Sequence, residues 1–255
     1  MPCLINGSYV VLQKLQQDVP GFNAGVQQIA ESLGLAAELT GSKLVGRHKS
    51  GCPMEAVLGV GLDASQADPS DDRPELLEDQ HINNFGYAAD PDGTIVPTAG
   101  HIRKAYPRDQ ANPGEGEAQQ HRIMRRGITY GASLPEPTQP TAYRRGVEPD
   151  RVERGLLFAC YQASIRNQFE FIQQRWVNDA TFPTADPLSG IDPILNEADG
   201  STMTIPTAGQ PGQQVPLQSW ITMKGGAYLF APGLAGLTIL VGPAPAEGDA
   251  SSGAG

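Results

Sequence analysis

The stretch "GHIRKAYPRD", residues 100 to 109, sets His101 among Arg103, Lys104 and Arg108, in a chain of net charge −10 that has four histidines. A neutral imidazole can ligate a metal or pass protons near neutral pH, and neighbouring guanidiniums hold negative charge without being deprotonated. By spacing alone, the plainer reading of His101 is a surface histidine in a basic loop. A second basic knot, "HRIMRRG", places Arg122, Arg125 and Arg126 just before an apolar strand. A fixed guanidinium there suits the stabilisation of charge building on a leaving oxyanion, with a solvated basic edge as the alternative. His121 lies beside Arg122 and has the titration range of a proton-transfer group, but only its position speaks for it. His48 and His81 fall in unpatterned stretches and are assigned no role.

Composition narrows the classes around these residues. An acidic chain does not present the broad positive face needed to bind nucleic acid or an anionic membrane. Neither a run of eighteen apolar residues nor a secretory leader is visible, so a cytoplasmic address is expected. Cys3, Cys52 and Cys160 are too few and too far apart for a disulfide framework or a structural zinc site, and read as free thiols.

The elements that must carry the two basic knots follow from periodicity. "GSYVVLQKLQQD" (7 to 18) reads as a half-buried strand, and Phe22, Val26, Ile29 and Leu33 mark an amphipathic helix over about 20 to 34. Residues 41 to 100 lose clear periodicity and are expected to be an irregular surface excursion without core. "RIMRRGITYGASL" contains a short strand, and "RGLLFACYQ" (154 to 162) is a nearly continuous apolar run of strand length. Ile165, Phe169, Ile172 and Trp176 then repeat at helical spacing. "SWITMKGGAYLFAPGLAGLTIL" reads as a strand, a Gly-Gly break, another apolar segment and a short helix. The order is α+β, with helices packed on one face of an antiparallel sheet. Residues 1–240 form the folded unit and 241–255 a disordered tail.

Six separated segments, "GSYVVLQKLQQDV", "LVGRHKSGCP", "PTAGHIRKAYPRD", "RIMRRGITYG", "RGLLFACYQASIRNQFEFIQQRWVN" and "GGAYLFAPG", resemble, in order, the blocks of the C-terminal half of dye-decolourising (DyP-type) haem peroxidases. The resemblance implies a ferredoxin-like half that binds haem b, iron protoporphyrin IX. It implies a peroxidase that reduces hydrogen peroxide while oxidising dyes or other organic reductants. His101 would be the iron ligand and Arg103 would face a haem propionate. Arg125 would be the distal arginine, with Arg122 as its rival and second cofactor contact. Leu156 and Phe158 would roof the distal pocket, and Asp192 in "GIDPIL" would be the acidic partner of the histidine. On residues alone, Asp192 is a turn or cap aspartate before Pro193. Trp176, Trp220 and Tyr143 are electron-relay candidates under the resemblance and ordinary packing residues otherwise.

The departures bear on chemistry. The family's Gly-x-x-Asp-Gly motif, which supplies a distal aspartate, is absent, and "ADPDG" (89 to 93) and "NEADG" (196 to 200) read as turns. His48 stands where the family has tryptophan, Gly100 where alanine is usual, and Tyr106 where asparagine is usual. The chain therefore reads as a shortened peroxidase. The alternatives are a haem-binding module without turnover, or a half-protein that pairs with a partner chain or forms a homo-oligomer.

Overall fold

The computed structural model describes residues 5–56, 83, 85–134, 152–185, 188–196, 199–207 and 210–242. Its centre is an antiparallel sheet of strands β1 (Ser8–Gln17), β2 (Met124–Arg125), β3 (Ile128–Tyr130), β4 (Gly155–Gln162) and β7 (Ile221–Ala231), ordered β2-β4-β1-β7, with β3 also pairing with β4. A separate hairpin, β5 (Thr202–Thr207) with β6 (Gln210–Pro216), was not expected from the sequence. Polar Thr and Gln interleaved with Pro and Gly masked its period. Strand β7 continues through Gly225-Gly226, where a break was expected: the ladder to β1 pairs the two glycines with Lys14 and Gln13, and the irregularity is limited to a register shift between Lys14 and Leu15.

Helix α1 (Val19–Leu33) starts where the sequence places it. Asp18 caps it by accepting from the Gly21 N–H at 2.9 Å, and Gly34 ends it in a left-handed turn. The buried face of α1, Val26 and Ile29, packs with Leu44, Ile205, Leu217 and Trp220, so this helix packs against both the segment that carries Leu44 and the β5–β6 hairpin. Gly25 permits the approach, since a Cβ there would lie 2.6 Å from the Trp220 ring.

The expected coreless excursion over 41–100 is corrected for its described residues, 41–56, 83 and 85–100; the rest of it lies outside the described residues. It begins inside helix α2 (Ala37–Val45), and Met54, Phe85, Tyr87, Ile95 and Val96 form a buried cluster. The apolar residues are real core, but they enter it from turns, so no helical or strand period announces them. The helix read from Ile165, Phe169, Ile172 and Trp176 is present as two π-helical segments, Ile165–Glu170 and Ile172–Val177. Ser164 starts them. Its Oγ accepts from the Asn167 N–H at 3.1 Å, while Gln168 Oε1 accepts from the Ser164 N–H at 2.9 Å, a reciprocal cap. Phe169 packs on Val11 and Cys160 of the sheet, and Trp176 joins Ile172, Val177 and Ala118 in a second cluster.

Short helices α3 (His101–Ala105), α4 (Glu115–Gln120) and α5 (Leu234–Val241) complete the elements. No helix among the described residues is long and apolar enough to cross a membrane. Cys52 and Cys160 are buried, and Cys160 is a free thiol, as expected; Cys3 lies outside the described residues, as do His81, Tyr143 and residues 243–255 of the expected tail.

Candidate functional site: a histidine and carboxylate pair beside an arginine-bearing sheet edge

His101 is the first residue of α3. Gly100 precedes it because the backbone is tightly enclosed there: a Cβ would lie 3.0 Å from both the Lys43 and the Pro97 carbonyl oxygens. The departure from alanine at this position therefore has a packing reason. The His101 side chain keeps 22 % of its surface exposed, and its Nδ1 lies 2.9 Å from Oδ2 of Asp192, which is fully buried.

Asp192 makes contacts that match both readings of it. One oxygen accepts from the main-chain N–H groups of Ile194 and Leu195 at 2.8 and 2.9 Å, the turn role, and the other faces His101. A carboxylate only accepts, so a proton belongs on Nδ1, and in the neutral ring the lone pair then lies on Nε2. A neutral imidazole held in that tautomer by a buried carboxylate has the makings of a metal ligand of raised basicity. Among the described residues no cluster of three or more His, Cys, Asp or Glu side chains could bind a bare metal ion.

Two buried cations of the His101 helix, Arg103 and Lys104, tie it to other segments, and Lys43 of α2 ties down the turn that precedes it. Lys43 donates to the carbonyls of Thr94 and Ile95 at 2.6 and 3.2 Å, and Lys104 to those of Asp179 and Phe182 at 3.0 and 2.5 Å. Arg103 donates to Gln110 Oε1, the Val96 carbonyl and the Asp90 carbonyl at 2.6, 2.7 and 2.8 Å, and pairs with the Asp90 carboxylate at 3.2 Å. Burial pushes both lysines down to about 8, and it also lowers Arg103. The expectation that Arg103 faces a propionate is thereby corrected: the side chain is 0 % exposed and its guanidinium is committed to the Asp90 turn. Asp90 belongs to "ADPDG", which is the turn it was read as.

On the sheet, register brings three further candidates to one face. Arg125 pairs with Cys160, and Phe158 and Leu156 follow at intervals of two along β4, so all three project from the side that carries Phe169. Arg122 and Arg125 are both exposed, and Arg122 lies over the Tyr106 ring at 6.0 Å, just past α3. Over the same face opens a cavity of about 940 Å³, lined by Gln13, Leu15, Phe169, Leu195, Met223 and Tyr228 among others. Gln13 and Leu15 are the ladder partners of Phe158 and Leu156, so the cavity adjoins the Leu156–Phe158–Arg125 strip, but it includes neither that strip nor His101.

Other candidates have structural work. His121 stacks on Phe171 with ring centres 3.6 Å apart, and its Nδ1 bonds the Asn167 carbonyl. Trp176 and Trp220 are buried at 2 % and 5 % exposure. A group missed in the sequence is Glu55. It is 4 % exposed, and burial raises its carboxyl to about 7, against hydrogen bonds from Phe85 and Gly86 and the charge of Arg108. It sits in the stretch without period, where nothing marked it.

The fold class defined by this arrangement is the ferredoxin-like α+β class, with an antiparallel sheet carrying helices and long excursions. The chain belongs to the family described as "Dyp-type peroxidase, C-terminal", which matches residues 2–190. It is 34 % identical to "Multifunctional dye peroxidase DyP2" of Amycolatopsis over 94 % of this chain and 50 % of that protein. It is 32 % identical to a dye-decolorizing peroxidase of Mycena epipterygia over 92 % and 47 %. Among solved structures, the DyP-type peroxidase of Anabaena superposes with TM-score 0.73 at 32 % identity, covering 92 % of this chain and 45 % of that one. The chain thus spans about half the length of the relatives it matches.

Proposed function

We propose that this chain is the haem-binding half of a dye-decolourising peroxidase, that His101 ligates the iron of haem b through Nε2, and that Arg125 faces the peroxide. The observation that carries the reading is the His101–Asp192 pair, in a family whose named members are dye peroxidases. The residues fit the group: with Nδ1 turned to Asp192 the neutral ring offers Nε2, the ring is partly exposed, and an apolar strip with one arginine shares the adjoining sheet face. Haem, when bound, supplies the two-electron chemistry that cleaves peroxide and draws electrons from the organic reductant.

The chain's own residues have separable tasks in this reading. Asp192 holds the Nδ1 proton and fixes the imidazole plane. Arg103 and Lys104 hold the helix that presents the ring, and Lys43 holds the turn before it. Leu156 and Phe158 exclude water from the peroxide side. The Arg125 guanidinium would stabilise negative charge on the leaving hydroxide, leaving proton transfer to another group. Hydrogen peroxide and small organic or dye reductants are the partners.

The test compares arginines. In haem-loaded protein, Arg125→Ala should slow peroxide-dependent dye oxidation by about 10²-fold or more, the size seen on removing one charge-stabilising donor, and Arg122→Ala should slow it far less. Equal losses would overturn the assignment. A binder without turnover would give a haem spectrum and no dye oxidation in the unsubstituted protein.

A further inference from the structure

The cavity over the β1–β7 half of the sheet has no part in the peroxidase reading. Its floor depends on an irregularity in β7. Lys14 pairs with Gly225 and Leu15 with Met223, so Lys224 is an extra residue on that strand, a β-bulge. Met223 and Tyr228 are five residues apart and would face opposite sides of a regular strand; the extra residue turns both to the side of Leu15 and Val11. Between them Gly226 is the partner of Gln13 and brings no side chain, and a Cβ there would lie 3.4 Å from Gln13 Cγ. The floor is therefore open at its middle.

The wall opposite is the π-helical stretch. The Asn178 N–H donates to the Gln173 carbonyl, five residues back, at 3.2 Å. At that winding Phe169, Gln173, Gln174 and Asn178, spaced four or five apart, all line the cavity. In an α-helix the nine residues from Phe169 to Asn178 are about two and a half turns, which would set the two on opposite sides. π-helical turns and bulges are both over-represented at functional sites, and here they face one another across a single cleft.

The cleft, about 940 Å³, lies in the size range of small-molecule sites. Five amides, two aliphatic hydroxyls and one carboxylate line it against six apolar or aromatic residues, and among the described residues no lysine or arginine does. That balance is more polar than a site for an apolar ligand, and it offers an anion no partner. The carboxylate, Glu170, accepts from the Tyr228 hydroxyl at 3.1 Å. The amides keep most of their capacity. Gln13 donates to the Met223 sulfur at 3.3 Å, a weak acceptor, and the Gln173 and Gln174 side chains make no hydrogen bond among the described residues. Asn196 is 2 % exposed; its Nδ2 donates to the Pro193 and Gln218 carbonyls, both at 3.1 Å, and its Oδ1 is buried with no donor. A buried acceptor without a donor is destabilising, and a donor brought by a ligand would relieve it.

An amide donates and accepts side by side, as pairs of hydroxyls do. A sugar ring has the complementary make-up, with hydroxyls around its edge and C–H groups on its face. Met223 and Tyr228, 60 % and 54 % exposed, offer an apolar surface to such a face, and Tyr228 is set edge-on to Phe169 at 6.3 Å. We propose that this cleft binds an uncharged saccharide, one ring face on Tyr228 and Met223 and the hydroxyls among Gln13, Gln173, Gln174 and Asn196. Neither His101 nor Arg125 lines the cleft, so the proposal stands apart from the haem reading.

The experiment titrates the full chain, with and without haemin, with cellobiose, maltose and sucrose by isothermal calorimetry. At least one disaccharide should bind saturably, with Kd of about 1 mM or lower, and equally well in both forms of the protein. Gln173→Ala combined with Gln174→Ala should weaken that binding about tenfold, with circular dichroism unchanged. Should the double variant unfold, Gln174→Ala alone, at an exposed position, decides with a loss of roughly threefold. Absence of saturable binding by all three disaccharides overturns the proposal, as does binding that the substitutions leave unchanged. Loss of saccharide binding when haemin is added would assign the cleft to the porphyrin, and also overturns it. Phenol is the aromatic arm: binding of phenol that the substitutions weaken, with no saccharide bound, would assign the cleft to an aromatic reductant and overturn the saccharide claim. Failure of the haem reading looks different, since it shows as an unshifted Soret band and leaves the titration of the apoprotein standing.

Discussion

At the scale of the residue, the Asp192 carboxylate is the device on which His101 depends. Its two oxygens are divided between a turn and an imidazole, so Asp192→Asn should keep the turn, through the amide oxygen, while weakening control of the tautomer. Haem affinity should fall by roughly 10–100-fold with the fold intact, the size seen for outer partners of metal-bound histidines; an unchanged titration would show that the pair has no part in binding. Glu55 makes a second residue-scale prediction. Its folded value near 7 exceeds the ordinary 4.5, so the folded state holds a proton between those values that the unfolded state has released. The stabilising contribution is present below pH 4.5 and lost as pH rises through 7. Glu55→Gln should therefore gain on the unsubstituted protein across pH 4.5 to 7, by on the order of 2 kcal/mol, in urea midpoints read at each pH. His101 and Asp192 were legible only through the resemblance, since spacing alone made one a surface histidine and the other a turn residue. Glu55 was not legible at all, because what distinguishes it is its loss of water, and a sequence does not record that.

At the scale of the element, the helix that bears His101 has five residues, too short to be stable by its own hydrogen bonds. It is held by buried cations reaching out to carbonyls on other segments. Lys104→Met keeps most of the volume but leaves the Asp179 and Phe182 carbonyls without a donor, at a cost of about 1–3 kcal/mol. The lysine's folded value of about 8 lies below its ordinary 10.5, so its burial penalty is in force below pH 8 and lifts as pH rises towards 10.5. The stability difference between the unsubstituted protein and Lys104→Met should thus widen across pH 8 to 10.5; a difference that narrows would contradict the burial described. Strands β1 and β4 and helix α1 were legible because their apolar residues recur at two or at three and four. The π-helical form of 165–177 was not, since its stripe matches an ordinary helix, and the β5–β6 hairpin was hidden by its polar alternation.

At the scale of the molecule, one face of the sheet carries the π-helical segments and the candidate site. On the other, Leu12, Leu157 and Leu229 are aligned by register and are 40 %, 46 % and 46 % exposed. The α+β class and the antiparallel sheet were legible from element order, and the way the chain closes around His101 came from long-range contacts that order does not reveal. The most direct measurement is a haemin titration of the full chain beside His101→Ala, read by absorption and by electron paramagnetic resonance. The unsubstituted protein should give a shifted Soret band and a ferric signal with nitrogen ligation, and His101→Ala should lose both; the same spectra from the two proteins would contradict an iron bond to His101.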